Sequence, residues 1–130
     1  MLGWVNDIEK ITAENDHFRK VVFTGKEAQL VLMSLAPGED IGWEAHDHID
    51  QFIRLEQGKA RVDFGVTEDA VDESHQVKAD WAFIVPTGTW HNVTNTGDGA
   101  VKLYTIYSPP EHPDGVAYAT KAQAIAAEEH

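Results

Sequence analysis

The chain has 130 residues, no cysteine, and a formal net charge of −12 from 22 acidic against 10 basic residues. That length suits one domain with a real core, the missing cysteines exclude disulfides and thiolate metal sites, and the charge argues against nucleic acid or anionic membrane as partner. Met1 to Lys10 has no basic n-region, Asp7 and Glu9 interrupt any apolar run, and no segment approaches membrane-spanning length, so a cytoplasmic protein is expected.

In chain order the sequence reads mostly as strands. Val21–Thr24 and Gln29–Leu35 are β-branched or aliphatic runs separated by Gly25-Lys26. Leu35 to Asp40 has the composition of a turn. Trp43–His48 reads as a strand carrying two histidines, and Phe52–Glu56 as the next, ended by Gln57-Gly58. Lys59–Phe64 alternates polar and apolar, as a half-buried strand does. Gln76–Lys78, Trp81–Val85, Trp90–Thr94 and Val101–Tyr107 complete the set. Many short strands separated by Gly, Pro and Asp point to an all-β sandwich or barrel. Only the tail is expected to be helical: Thr120-Lys121-Ala122-Gln123 has the form of a capping box before an alanine-rich run to Glu129. The proline-rich stretch Ser108–Gly115 is expected to cross the surface as a loop, with His112 in it.

Two short motifs carry the chemistry. The first is His46-Asp47-His48-Ile49-Asp50-Gln51, closing on Gly58; the second is Pro86-Thr87-Gly88-Thr89-Trp90-His91, ending on Asn95. Histidines at i and i+2 of a strand face the same way, roughly 7 Å apart, and one ion can bridge them. Gln51 follows at a turn, and strand pairing can bring His91 opposite. Three imidazoles and an amide oxygen make a borderline N/O site suited to one divalent transition metal: iron, manganese, nickel, copper or zinc. Gly58, Pro86 and Gly88 read as turn geometry, and Asn95 as a hydrogen-bonding turn residue.

These stretches resemble the two cupin motifs, written G-x5-H-x-H-x3,4-E-x6-G and G-x5-P-x-G-x2-H-x3-N. The resemblance covers roughly residues 20 to 110. It implies a cupin double-stranded β-helix, or jelly-roll barrel, as a single domain over 1–130, with the barrel at about 20–108 and a Pro-rich segment and short helix over 109–130. It also implies His46, His48, Gln51 and His91 as metal ligands and a homodimer as the assembly.

The sequence departs from the pattern in four places. Gln51 stands for the usual glutamate, the interval after His48 is short, Gly38 and Gly42 both miss the place of the opening glycine, and Asp80 replaces the glycine that opens the second motif. All-neutral ligands would leave the ion its full charge and make it a strong Lewis acid. Glu44 shares the strand parity of His46 and His48, and is expected as an acceptor or general base beside the metal. If Gln51 points inward, so do Ile53 and Leu55, while Phe52 and Arg54 face outward. The interior then looks apolar, with Trp43, Trp90 and Tyr104 near the mouth and no Arg/Lys cluster to grip a phosphate.

Three function classes fit: a dioxygenase-like metalloenzyme acting on a small organic molecule, a redox-neutral metal-dependent isomerase or lyase, and a non-catalytic small-molecule-binding barrel.

Overall fold

A computed structural model of the protein describes residues 2–128. The chain opens with a short helix, α1 (Ile8–Glu14), capped by Asp7, whose carboxylate accepts the Lys10 N–H at 3.1 Å. Sequence reading missed this helix because only Thr12 of it is buried, so it lacks the apolar stripe that announces a helix.

Two antiparallel sheets follow, built mainly from β1 (Arg19–Thr24), β2 (Gln29–Leu35), β3 (Asp50–Gln57), β4 (Lys59–Gly65), β5 (Glu73–Lys78), β6 (Ala82–Val85), β7 (Trp90–Asn95) and β8 (Val101–Ser108). A two-residue strand, β9 (Ala117–Tyr118), and a helix, α2 (Lys121–Glu128), follow. The larger sheet has the order β6-β3-β8-β2-β1-β9 and the smaller β5-β4-β7. Sequence-distant strands therefore lie side by side, and the inner faces of the two sheets enclose one core.

The core follows from strand parity. On β3, Gln51, Ile53 and Leu55 are buried and alternate with the half-buried Phe52 and Arg54, as the two-residue period requires. Val31, Met33, Leu35, Val62, Val93 and Leu103 join them. β2 is buried on nearly every residue, because its outer face is covered too: Leu32 lines a groove with Trp4 and Ile11 of the N-terminal segment. Among the described residues no helix is long and apolar enough to cross a membrane.

The expected strand over Trp43–His48 does not form. Residues 38–46 instead run irregularly along β7, with isolated bridges at Asp40↔Thr94 and Glu44↔His91, and the chain bends at Asp47 and His48 before β3 begins. Gly42, at φ +104°, breaks the extended path. The helix cap predicted at Thr120 is present: the Thr120 hydroxyl accepts the Gln123 N–H at 3.2 Å, and the Gln123 side-chain oxygen accepts the Ala119 N–H at 2.9 Å.

Candidate metal centre

The site is made where the 38–46 segment meets β7. Glu44 and His91 exchange both backbone hydrogen bonds, Glu44 N–H to His91 O at 3.1 Å and His91 N–H to Glu44 O at 2.8 Å. His46 is tied to the other motif as well, its carbonyl accepting the Gly88 N–H at 2.8 Å. Gly88 sits at φ +82°, a left-handed conformation that suits glycine. These contacts bring three donors together. Glu44 Oε1 lies 3.5 Å from His46 Nε2 and 3.9 Å from His91 Nε2, and one ligand atom from each residue falls within 4.8 Å of the others. Two atoms each about 2.1 Å from a shared ion stand about 3.0–4.2 Å apart, depending on the angle, so both distances suit a common ion.

Gln51 is buried on the same side of β3 as Ile53 and Leu55. It pairs in register with Tyr107 on β8, whose ring centroid is 6.0 Å from that of His46, so Gln51 projects to the same interior. Its amide nitrogen donates to Thr105 Oγ1 at 3.0 Å, which turns the carbonyl oxygen the other way. The buried atoms His46 Nε2, His91 Nε2 and Gln51 Oε1 all lack a hydrogen-bond partner. Unpaired polar atoms are costly in a core, and a cation at the Glu44–His46–His91 cluster would give both histidine nitrogens a partner. His91 is prepared for that role. Its Nδ1 lies 2.9 Å from the Thr89 carbonyl, to which it can only donate, leaving the Nε2 lone pair free.

The charges support each other. Burial works to raise the Glu44 carboxyl, but the adjoining His46 and the nearby His91 outweigh it and hold it below the ordinary carboxylate value. The Glu44 carboxylate in turn raises His46. Burial lowers His91 and favours the neutral imidazole that a metal needs.

His48 does not join the cluster. It is exposed beyond the bend at Asp47 and His48, because the strand parity that placed it there fails once the chain turns. Glu44, not His48, stands beside both His46 and His91. The motif spacing then becomes regular. Five residues separate Gly38 from Glu44, Glu44-x-His46 follows, four residues lead to Gln51, and six more to Gly58. In this register the displaced glycine and the short interval both disappear, and Glu44 stands where the motif has its first histidine. The cluster that does form carries the negative charge of Glu44 and is not all-neutral. Asp80 also becomes intelligible: it has φ +75°, the conformation the usual glycine would adopt freely.

The Pro-rich segment is not a peripheral loop. It folds over the barrel mouth, held by the buried Gln29. That side chain accepts the Glu111 and His112 N–H groups at 3.1 and 2.9 Å and donates to the His112 carbonyl at 2.7 Å. Beneath it a cavity of about 300 Å³ is lined by Arg19, Glu44, His46, Glu111, His112 and Glu128, among others. Its wall is charged, not apolar as expected from parity. Tyr104 packs against Phe52 on the outer face, ring centroids 6.2 Å apart, while Tyr107 on the opposite face of β8 stands beside His46 and, at 5.0 Å, His112. Sequence reading missed Arg19, Gln29 and Tyr107, since nothing local marks a residue that a distant segment covers. Asn95 is the predicted turn residue, its amide donating to Leu35 O at 2.9 Å and Gly99 O at 2.8 Å.

Residues 31–107 match the family model of the cupin domain. The chain belongs to the cupin family. A cupin domain accounts for both the two-sheet barrel and the position of the donor cluster inside it. The chain is 49% identical over 126 residues to the uncharacterized protein YrkC of Bacillus subtilis (strain 168), covering 97% of this chain and 68% of that one. It is 41% identical over 113 residues to the uncharacterized protein L612 of Acanthamoeba polyphaga mimivirus, covering 86% and 69%. The crystal structure of BH2720 from Bacillus halodurans superposes with a TM-score of 0.93 at 47% identity, covering 95% of this cupin and 93% of that chain.

Proposed function

We propose that this cupin is a metal-dependent enzyme acting on a small organic molecule, with one divalent transition ion held by Glu44, His46, His91 and the carbonyl oxygen of Gln51. The observation that carries the reading is the pair of buried, partnerless ring nitrogens on His46 and His91 beside the Glu44 carboxylate, with a further unpaired buried oxygen on Gln51. Two histidines and one carboxylate are the donor set of non-haem iron oxygenases, which favours dioxygenase-like chemistry. A bound redox-active ion would supply dioxygen activation, and zinc would supply Lewis acidity instead. The chain's own residues do the rest: Thr105 orients Gln51, Thr89 fixes the His91 tautomer, and the 109–128 segment covers the cavity and limits water.

Glu111 favours a redox-neutral isomerase or lyase as the second reading. Burial raises its carboxyl pKa, and its Oε1 is 3.7 Å from His46 Nδ1, so it is placed to carry a proton at the cavity wall. A homodimer belongs to the same proposal. β6 is an edge strand, and its Ile84 and the preceding Trp81 are exposed, an apolar margin suited to a second copy.

The experiment is oxygen consumption by protein reconstituted separately with Fe(II), Mn(II), Ni(II), Cu(II) and Zn(II), against a panel of enolic and phenolic compounds. Metal-dependent uptake that Glu44→Ala and His91→Ala abolish supports the oxygenase. Substrate turnover with zinc and without oxygen uptake moves the assignment to the redox-neutral reading.

A further inference from the structure

The cavity holds a cation that the metal donors do not use. Arg19 reaches in from β1 with its side chain only 5% exposed. A guanidinium has five N–H donors, and a buried one is costly when poorly satisfied. Among the described residues its side chain makes one hydrogen bond, from Nη1 to Glu128 Oε1 at 2.5 Å, and its buried Nε has no partner. The guanidinium is thus only partly used, and Arg19 lines the cavity that also contains Glu44 and His46.

Glu128 is an unusual partner for it. It lies in the last turn of α2, where the helix dipole opposes a negative charge. Only Ala124 of that helix is buried. The helix is pinned at its other end, where Lys121 pairs with Asp40, and Glu128 Oε1 also stands 3.4 Å from His112 Nδ1 at the cavity wall.

We propose that Arg19 is the seat for the carboxylate of a small organic monocarboxylate substrate, and that Glu128 occupies this seat until the substrate displaces it. The inference deepens the proposed function and rests on Glu44, His46 and His91 being the reaction centre within the same cavity. A planar carboxylate pairs with two parallel guanidinium donors, and Glu128 already shows that a carboxylate reaches this guanidinium. Phosphate fits poorly. Arg19 is the one Arg or Lys among the residues lining the cavity, which also carries Glu44, Glu111 and Glu128, and a dianion would face all three. At about 300 Å³ the space stands at the lower limit for ligand pockets, which restricts the substrate to a compact molecule.

The test uses metal-stripped protein, so that a carboxylate cannot be captured by an ion, with pyruvate, its neutral methyl ester and inorganic phosphate as probes in calorimetric titrations. Glu128→Gln frees the seat and is expected to tighten pyruvate binding at least fivefold without changing the ester. Arg19→Gln is expected to weaken it at least tenfold. Arg19→Lys, which keeps the charge but loses the fork, covers the case in which Arg19→Gln does not fold, and should also weaken it. Equal pyruvate affinity in wild type, Glu128→Gln and the Arg19 variants overturns the proposal, as does tighter binding of phosphate than of pyruvate. Metal content is measured separately on the untreated proteins. Pyruvate binding without metal uptake defeats only the metal reading, and metal uptake without pyruvate binding defeats only the seat.

Discussion

Glu44 and His91 are joined twice through their backbones, at 3.1 and 2.8 Å, and their side chains meet at 3.9 Å. This bridge is the hinge of the site. It fixes an anionic oxygen beside a neutral imidazole without a regular strand beneath Glu44, and it makes the two motifs one unit. Because the pairing is through main-chain atoms, side-chain changes at either position should remove a donor without unravelling the segment.

The first prediction concerns that separation. Glu44→Gln keeps both backbone bonds and the side-chain volume but removes the charge. We expect metal affinity to fall by more than tenfold, with the unfolding midpoint of the metal-free protein shifting by less than the equivalent of about 1 kcal/mol, a size ordinary for a partly exposed substitution. Competition with a chromophoric chelator and denaturant unfolding measure the two quantities.

Gln29 should govern the strap over the mouth. Its amide satisfies two N–H groups and one carbonyl of Glu111 and His112. In Gln29→Ala these groups must either stay buried unpaired, at about 1–3 kcal/mol each, or detach into water. We expect detachment, seen as loss of hydrogen-exchange protection at the Glu111 and His112 amides while the β3 and β8 amides stay protected.

His112 sets a pH dependence. Burial and then the nearby Arg19 push its pKa down to about 4, against about 6.5 in an unfolded chain. The folded state therefore binds fewer protons than the unfolded state between these values. Stability is full above about 6.5 and is lost as pH falls toward 4, on the order of 1–3 kcal/mol. Urea unfolding of the metal-free protein at pH 7 and pH 4.5 should show this loss, and His112→Gln should reduce it.

Two glycines should differ in their tolerance of a side chain. Gly58 has φ +96°, and a Cβ there would stand 2.8 Å from the Ala100 carbonyl oxygen. Gly88 has φ +82° but open space around it. Gly88→Ala should cost about 1–2 kcal/mol, the conformational term alone. Gly58→Ala adds a backbone clash and should cost at least about 1 kcal/mol more. Thermal unfolding of both variants decides the order.

Much of the barrel was legible in the sequence, because β3, β4 and β8 sit at an interface where the two-residue period is also the burial period. Ile53 and Leu55 inward and Phe52 outward follow directly. α1 was not legible, since it buries a single residue, nor was the strap, since Gln29 and His112 lie 83 positions apart. Which donor side chains meet was legible in part: Glu44, His46 and His91 do cluster, and His48 does not. Glu44, His46, Gln51 and His91 were all singled out, but periodicity was carried two residues too far. Nothing local in Asp47-His48 announces the turn that leaves His48 in solvent. The glycine-to-Glu44 spacing held the correct register, and a carboxylate at a histidine position concealed it.

The most direct test is the elemental content of the protein purified without added metal or chelator, beside Glu44→Ala, His46→Ala, His91→Ala and His48→Ala. The account predicts close to one transition ion per chain in the wild type and in His48→Ala, and little in the other three. Loss of metal in His48→Ala with retention in Glu44→Ala would contradict it, as would a wild type that neither carries nor takes up any metal.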